Sequence, residues 1–211
     1  MTQRMSVKSD ATDPDSRHTR ATRAVHMLLA LAVFYQLGTS LIMSGPKPGQ
    51  ADDIFFELHE YGGIATFSIV CTFWVVLLVR RQGTDPGALF PWLMQSRRAQ
   101  LRDDLKSYWH SLRERSLPSY QPNSPVASAI HGLGLLLMTA MATTGVIWFA
   151  ADFYGYQKSI SVELIIEVHK LLSNLAWAYL VGHAGMALLH HVRQEASLRE
   201  MWSFDSTHLD P

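Results

Sequence analysis

The chain has 211 residues, 48% of them hydrophobic, and a formal net charge of zero with histidine counted as neutral. This length fits one domain, and without an excess of basic residues we expect no nucleic-acid partner. Cys71 is the only cysteine. The sequence therefore excludes an internal disulfide and also the C-x-x-C-H attachment of a covalently bound haem.

The apolar residues are concentrated in four blocks that contain no Asp, Glu, Lys or Arg: 24–43, 62–79, 126–151 and 171–189. The blocks are 18 to 26 residues long, and about 20 helical residues cross the roughly 30 Å hydrocarbon core of a bilayer. We therefore predict an all-α membrane protein, a bundle of four transmembrane helices. Its parts are a polar tail 1–23, a transmembrane domain 24–192 that includes a long loop 80–125, and a second tail 193–211.

The distribution of positive charge predicts which side of the membrane each polar segment occupies. Four spans place both tails and the loop 80–125 on one side, and these segments hold 15 of the 18 Lys and Arg residues. The remaining three are Lys47, Lys158 and Lys170. By the positive-inside rule, both termini are predicted to be cytoplasmic and the two short connections periplasmic.

The first two spans each begin with a histidine. His26 opens the first span on the cytoplasmic side, and His59 opens the second span on the periplasmic side. Ionisable side chains at membrane depth are costly, so both residues are functional candidates.

The first block is too long for the apolar part of a signal peptide and has no small-residue cleavage site after it, so we interpret it as a span.

The loop between the second and third spans has an amphipathic pattern within residues 91–116. Apolar side chains recur there at helical spacing among basic ones: Leu101, Leu105, Tyr108 or Trp109, and Leu112. The pattern predicts an amphipathic helix on the cytoplasmic face, held by anionic lipid or, alternatively, docked on a partner. Ser124 and Pro125 are the predicted N-cap and first residue of the third span.

The fourth span carries His169 and His183, which are 14 residues apart. On an α-helix this separation is about 1400°, four turns less roughly 40°, with a rise of about 21 Å, so the two share a face at two depths. The depth-matched partners are His59 for His169 and His26 for His183. Two stacked bis-histidine irons are predicted. Iron with two imidazole ligands has no open position, which indicates electron relay rather than oxygen chemistry.

Other residues near these histidines have two interpretations each. Neighbouring glycines make room either for flat macrocycles or for close helix packing: Gly62, Gly63, Gly132, Gly134, Gly182 and Gly185. Arg23 and Lys170 lie close to predicted ligands. They are candidates to pair with haem propionates or to act as snorkelling anchors at the membrane surface.

Three further histidines are predicted near the cytoplasmic side. His131 lies about one and a half turns into the third span, and His190 and His191 end the fourth span. Imidazole titrates near neutral pH, so these residues are candidates to bind a quinone carbonyl or to move its protons. The alternatives are a hydrogen bond to a haem propionate, simple interfacial placement, and His131 replacing His26 as a ligand.

Segments in all four spans together resemble the bacterial cytochrome b-561 family. They are 23–26, 59–63, 123–126 with 131–134, and 169–175 with 182–185, 190–191 and 197–202. The family includes the cytochrome b subunits of nickel–iron hydrogenases, formate dehydrogenases and thiosulfate reductases. The resemblance implies a bacterial inner-membrane protein with two non-covalent b haems. His59 and His169 would hold the periplasmic haem, His26 and His183 the cytoplasmic one, and ubiquinone or menaquinone would be a redox partner.

Three functions agree with these observations. The first is a di-haem cytochrome that connects the quinone pool with a periplasmic redox protein or a dehydrogenase subunit. The second is a superoxide:quinone oxidoreductase. The fourth span resembles that branch of the family, whereas the long loop 80–125 departs from it. One observation argues against this function. The predicted periplasmic side has three lysines and seven acidic residues, and the electric field of the acidic residues slows the approach of an anionic substrate. The third is a haem-free transporter or proton channel.

Overall fold

The computed structural model describes residues 19–46, 53–80, 86–116, 124–195 and 198–202. Among them it has five substantial helices, which are α1 (Arg20–Ile42), α2 (Ile54–Val79), α3 (Gln95–Arg113), α4 (Pro125–Phe153) and α5 (Ile160–Val192). A 3-10 turn, Pro86–Leu89, precedes α3, and a short helix α6 (Arg199–Trp202) follows α5. The described residues contain no strand. Some charges that enter the predictions of orientation and of the periplasmic field lie outside the described residues. They belong to the tail 1–18, Lys47 and Asp52.

Four of the helices, α1, α2, α4 and α5, are long and apolar enough to span a membrane. The predicted all-α bundle of four transmembrane helices is thereby confirmed. The fourth helix is longer than its apolar block, because α5 begins at Ile160 and runs for 33 residues. At about 1.5 Å per residue it extends beyond a roughly 30 Å hydrocarbon core. Its first turns therefore carry charged residues, Glu163, Glu167 and Lys170.

Each spanning helix begins at a polar side chain that accepts a hydrogen bond from a main-chain N–H of the first turn. Such N-caps satisfy donors that have no partner within the helix. The capping residues are Thr19, Asp53, Ser124 and Ser159. Ser124 with Pro125 at the first helical position is the start that the sequence predicts for the third span.

The spanning helices pack in the order α1, α2, α4, α5, and α5 has no comparable packing against α1 or α2 among the described residues. A buried cluster in the middle of the bundle holds them together: Leu29, Leu37, Val70, Met138, Ala142 and Ala176. Gly134 permits the close approach of α4 and α5, because a Cβ there would collide with the ring of Tyr179. We call the end with connections 43–53 and 154–159 the short-loop end, and the opposite end the long-loop end.

Helix α3 confirms the helix predicted in the long loop, and it is fastened to the start of α4. The hydroxyl of Ser124 donates to Oδ2 of Asp104 at 2.6 Å, and the main-chain N–H of Val126 faces the same oxygen at 3.3 Å. On the other side of the loop, Arg97 donates to the carbonyl of Ala88 at 3.2 Å. The loop is therefore attached to the bundle through a carboxylate at a helix N-terminus, where negative charge is favourable.

Candidate functional site

Two pairs of histidine rings face each other between α5 and the first two helices. His59 of α2 and His169 of α5 have their ring centres 6.4 Å apart with the planes at 89°. His26 of α1 and His183 of α5 also have ring centres 6.4 Å apart, with the planes at 61°. The first pair lies toward the short-loop end and the second toward the long-loop end, about 21 Å apart along α5. These are the two pairings that the sequence predicts.

The spacing within each pair has a specific chemical meaning. Two imidazoles that bind one metal from opposite sides have ring centres about 6 Å apart, from two metal–nitrogen bonds of about 2 Å and roughly 1.1 Å from each nitrogen to its ring centre. A direct hydrogen bond between the rings, with nitrogens about 3 Å apart, would bring the centres to about 5 Å. The observed 6.4 Å in both pairs fits a shared metal and exceeds the spacing of a direct hydrogen bond between the rings.

At the short-loop end, each histidine is held by a threonine on a neighbouring helix. Nδ1 of His59 lies 3.0 Å from Oγ1 of Thr39 on α1. Nδ1 of His169 lies 2.8 Å from Oγ1 of Thr144 on α4. The Nε2 atoms are then the ones left for a metal. The sequence pattern did not identify these two threonines. Their hydroxyls within apolar blocks are the feature that could have indicated them.

At the long-loop end, His183 is surrounded by aromatic rings. Tyr179, one turn earlier on α5, stacks on His183 with ring centres 5.3 Å apart and planes at 8°. His131 of α4 approaches from another side, with ring centres 5.2 Å apart and planes at 82°. This shorter spacing suits contact between rings better than a shared metal. His26, at 6.4 Å, therefore has the better geometry to share a metal with His183.

The remaining predicted histidines end α5. His190 Nδ1 lies 2.8 Å from Oε2 of Glu195, and the same carboxylate pairs with Arg193 at 3.4 Å. The side chain of His190 is 13% exposed, so this pair is partly shielded from solvent. His191 is exposed. His131, His190 and His191 thus all lie toward the long-loop end of the bundle.

The charges at the short-loop end are mostly paired or acidic. Lys170 forms an exposed ion pair with Glu167 at 2.7 Å. Asp53 accepts a hydrogen bond from the main-chain N–H of Ser44 at 2.8 Å. A paired lysine is a weak attractor for an anion. The Lys170–Glu167 pair therefore gives the superoxide:quinone alternative no support.

Both histidine pairs fit an iron whose other ligands come from a haem. Among the described residues, no group of three or more His, Cys, Asp or Glu side chains could hold a metal ion alone. Two imidazoles per iron are what a six-coordinate haem requires of the protein. The fold and the site together define a four-span membrane protein with two pairs of facing histidines at different depths.

The chain matches the family model described as prokaryotic cytochrome b561 over residues 17–204. The protein therefore belongs to the prokaryotic cytochrome b561 family, as the resemblance implied. It is a membrane b-type cytochrome with a role in electron transfer, which argues against the haem-free transporter. Neither the curated proteins nor the solved structures compared with the chain gave a match.

Proposed function

We propose that the protein is a di-haem cytochrome that passes electrons between quinone and a second redox partner. His59 and His169 ligate one haem, and His26 and His183 ligate the other. The observation that carries this proposal is the ring spacing of 6.4 Å, close to the metal–ligand spacing, in both histidine pairs at two depths of the bundle.

Haem held by these histidines would supply an iron that alternates between the ferric and ferrous states. Two imidazole ligands per iron would leave no coordination position for substrate, so the residues present support outer-sphere electron transfer. The α5 helix supplies one ligand to each site, which keeps the two sites at a constant separation along the bundle. Two positions at two depths divide the passage across the membrane into shorter steps.

The quinone site belongs to the long-loop end in this proposal. His131, His190 and His191 lie there, and His131 contacts the ring of His183. An imidazole that titrates near neutral pH can donate to a quinone carbonyl and exchange the proton that accompanies reduction. Glu195 beside His190 offers a second proton-exchanging group. We propose ubiquinone or menaquinone as the substrate, since both carry the carbonyl pair that these histidines can bind.

The second redox partner is proposed to dock at the short-loop end. This end is periplasmic if the positive-inside rule holds. It holds the His59–His169 pair within the first turns of α2 and α5, and acidic side chains such as Glu57 and Glu163 lie near the same helix starts. A periplasmic redox protein or dehydrogenase subunit with a complementary basic surface is therefore the proposed partner.

The experiment that tests this function is haem quantitation on the detergent-purified, full-length protein. We expect a dithionite-reduced minus oxidised spectrum typical of b haem and a pyridine haemochrome value of two haems per chain. His59→Ala and His169→Ala should each lower the value to one, because each leaves the other pair intact. One haem in the wild type would contradict one of the pairs, and none would contradict the di-haem proposal.

A further inference from the structure

Thr39 and Thr144 occupy the same structural position on two different helices. Oγ1 of Thr39 lies 3.0 Å from the carbonyl oxygens of both Tyr35 and Gln36, which are on its own helix α1. Oγ1 of Thr144 likewise lies 2.9 Å from the carbonyl oxygens of Ala140 and Met141 on α4. Hydrogen bonds of this kind to the preceding turn hold a threonine side chain in one rotamer.

The hydrogen-bonding capacity of these hydroxyls decides the state of the histidines. A threonine hydroxyl has one hydrogen to donate, and here the hydrogen is directed to the preceding turn of its own helix. The oxygen therefore faces the histidine as an acceptor, at 3.0 Å for His59 and 2.8 Å for His169. An acceptor at that position requires the proton of the neutral imidazole to be on Nδ1.

We infer that Thr39 and Thr144 are positioning residues, which hold His59 and His169 as the Nδ1–H tautomers and direct Nε2 toward iron. The inference rests on the proposed iron ligation by these histidines. A hydrogen bond from the far ring nitrogen to an acceptor raises the basicity of a metal-bound imidazole. A more basic ligand stabilises ferric iron over ferrous iron, so the threonines lower the midpoint potential of the haem at the short-loop end.

Both histidines of the pair at the short-loop end have a threonine partner. Second-shell hydrogen bonds are one of the means by which a protein sets haem potential. The two threonines therefore act on the potential of the haem at the short-loop end.

The test is a spectroscopic redox titration of purified Thr39→Val and Thr144→Val proteins, each with both haems resolved. Valine keeps the shape of threonine and removes the acceptor. We expect both haems to be retained and the midpoint potential of one to shift upward, with a changed low-spin ferric signal for that haem alone. Thr39→Ser and Thr144→Ser should restore the wild-type potential, since serine keeps the hydroxyl.

Thr143→Val is the matched control, because Thr143 is the neighbour of Thr144 and its side chain is exposed on the outside of the bundle. It should leave both potentials unchanged. Two haems with unchanged potentials in the Thr39 and Thr144 variants would overturn the inference and leave the di-haem function standing. A wild-type protein without haem would overturn the function, and the inference with it.

Discussion

At the scale of single residues, the ring spacings around His183 indicate which histidine would share the proposed haem with it. His26 and His131 both approach this ring, and both are on neighbouring helices. Only the 6.4 Å spacing to His26 leaves room for a metal with two normal bonds, because the 5.2 Å spacing to His131 is close to that of rings in direct contact. His131 is then available for quinone or for a hydrogen bond near the haem.

Alanine substitutions separate these two roles. We expect His26→Ala to contain one haem per chain and His131→Ala to contain two, measured as pyridine haemochrome. The haem that remains in His26→Ala, held by His59 and His169, shows that the variant is folded. A His131→Ala protein with one haem and a His26→Ala protein with two would reverse the assignment.

At the scale of helices, one carboxylate of α3 is hydrogen-bonded to the start of α4. Asp104 accepts hydrogen bonds from the Ser124 hydroxyl at 2.6 Å and from the Val126 N–H at 3.3 Å. Both donors belong to the first turn of a spanning helix. The amphipathic helix is thus a part of the folded bundle.

Removing that carboxylate should loosen the long loop. Loss of an N-terminal capping interaction costs about 1 to 2 kcal/mol, so we expect Asp104→Ala to lower the thermal midpoint in detergent and to speed trypsin cleavage within the loop 80–125. Asp103→Ala is the control, because Asp103 forms only an exposed pair with Lys106 at 3.4 Å, which contributes little. Equal effects of the two substitutions would contradict the role of Asp104.

At the scale of the whole molecule, α1 begins and α5 ends at the long-loop end. Most of the Lys and Arg residues are in the segments of that end, which predicts a cytoplasmic location through the positive-inside rule. The side of the membrane on which each proposed haem site lies depends on this orientation. The His59–His169 site is then the periplasmic one and the His26–His183 site the cytoplasmic one.

Reporter fusions test the orientation directly. Green fluorescent protein joined to the C-terminus should fluoresce and alkaline phosphatase joined there should be inactive, because the first folds in the cytoplasm and the second requires the periplasm. Phosphatase inserted after Gly155, in the short connection between α4 and α5, is the reciprocal control and should be active. The opposite pattern would place the quinone site on the periplasmic side.

The sequence alone determined the features that depend on local pattern. Uninterrupted apolar blocks predicted four spans, and helical spacing predicted the helix in the long loop; both are confirmed. The 14-residue separation of His169 and His183 placed them on one face, because helical periodicity does not depend on the neighbours. Depth matching then gave the pairs that the fold brings to 6.4 Å.

The side-chain contacts between helices depend on how the helices rotate and pack, so only the tertiary structure decided them. The sequence could not show that Thr39 meets His59 or that Thr144 meets His169, since many hydroxyls lie in the apolar blocks and only helix rotation selects two of them. Depth matching favoured His26 as the partner of His183 with His131 as an alternative, and only the packed helices gave the two ring spacings, which differ by little more than 1 Å. The Asp104 attachment likewise joins residues 20 apart through a loop whose path no local pattern predicts.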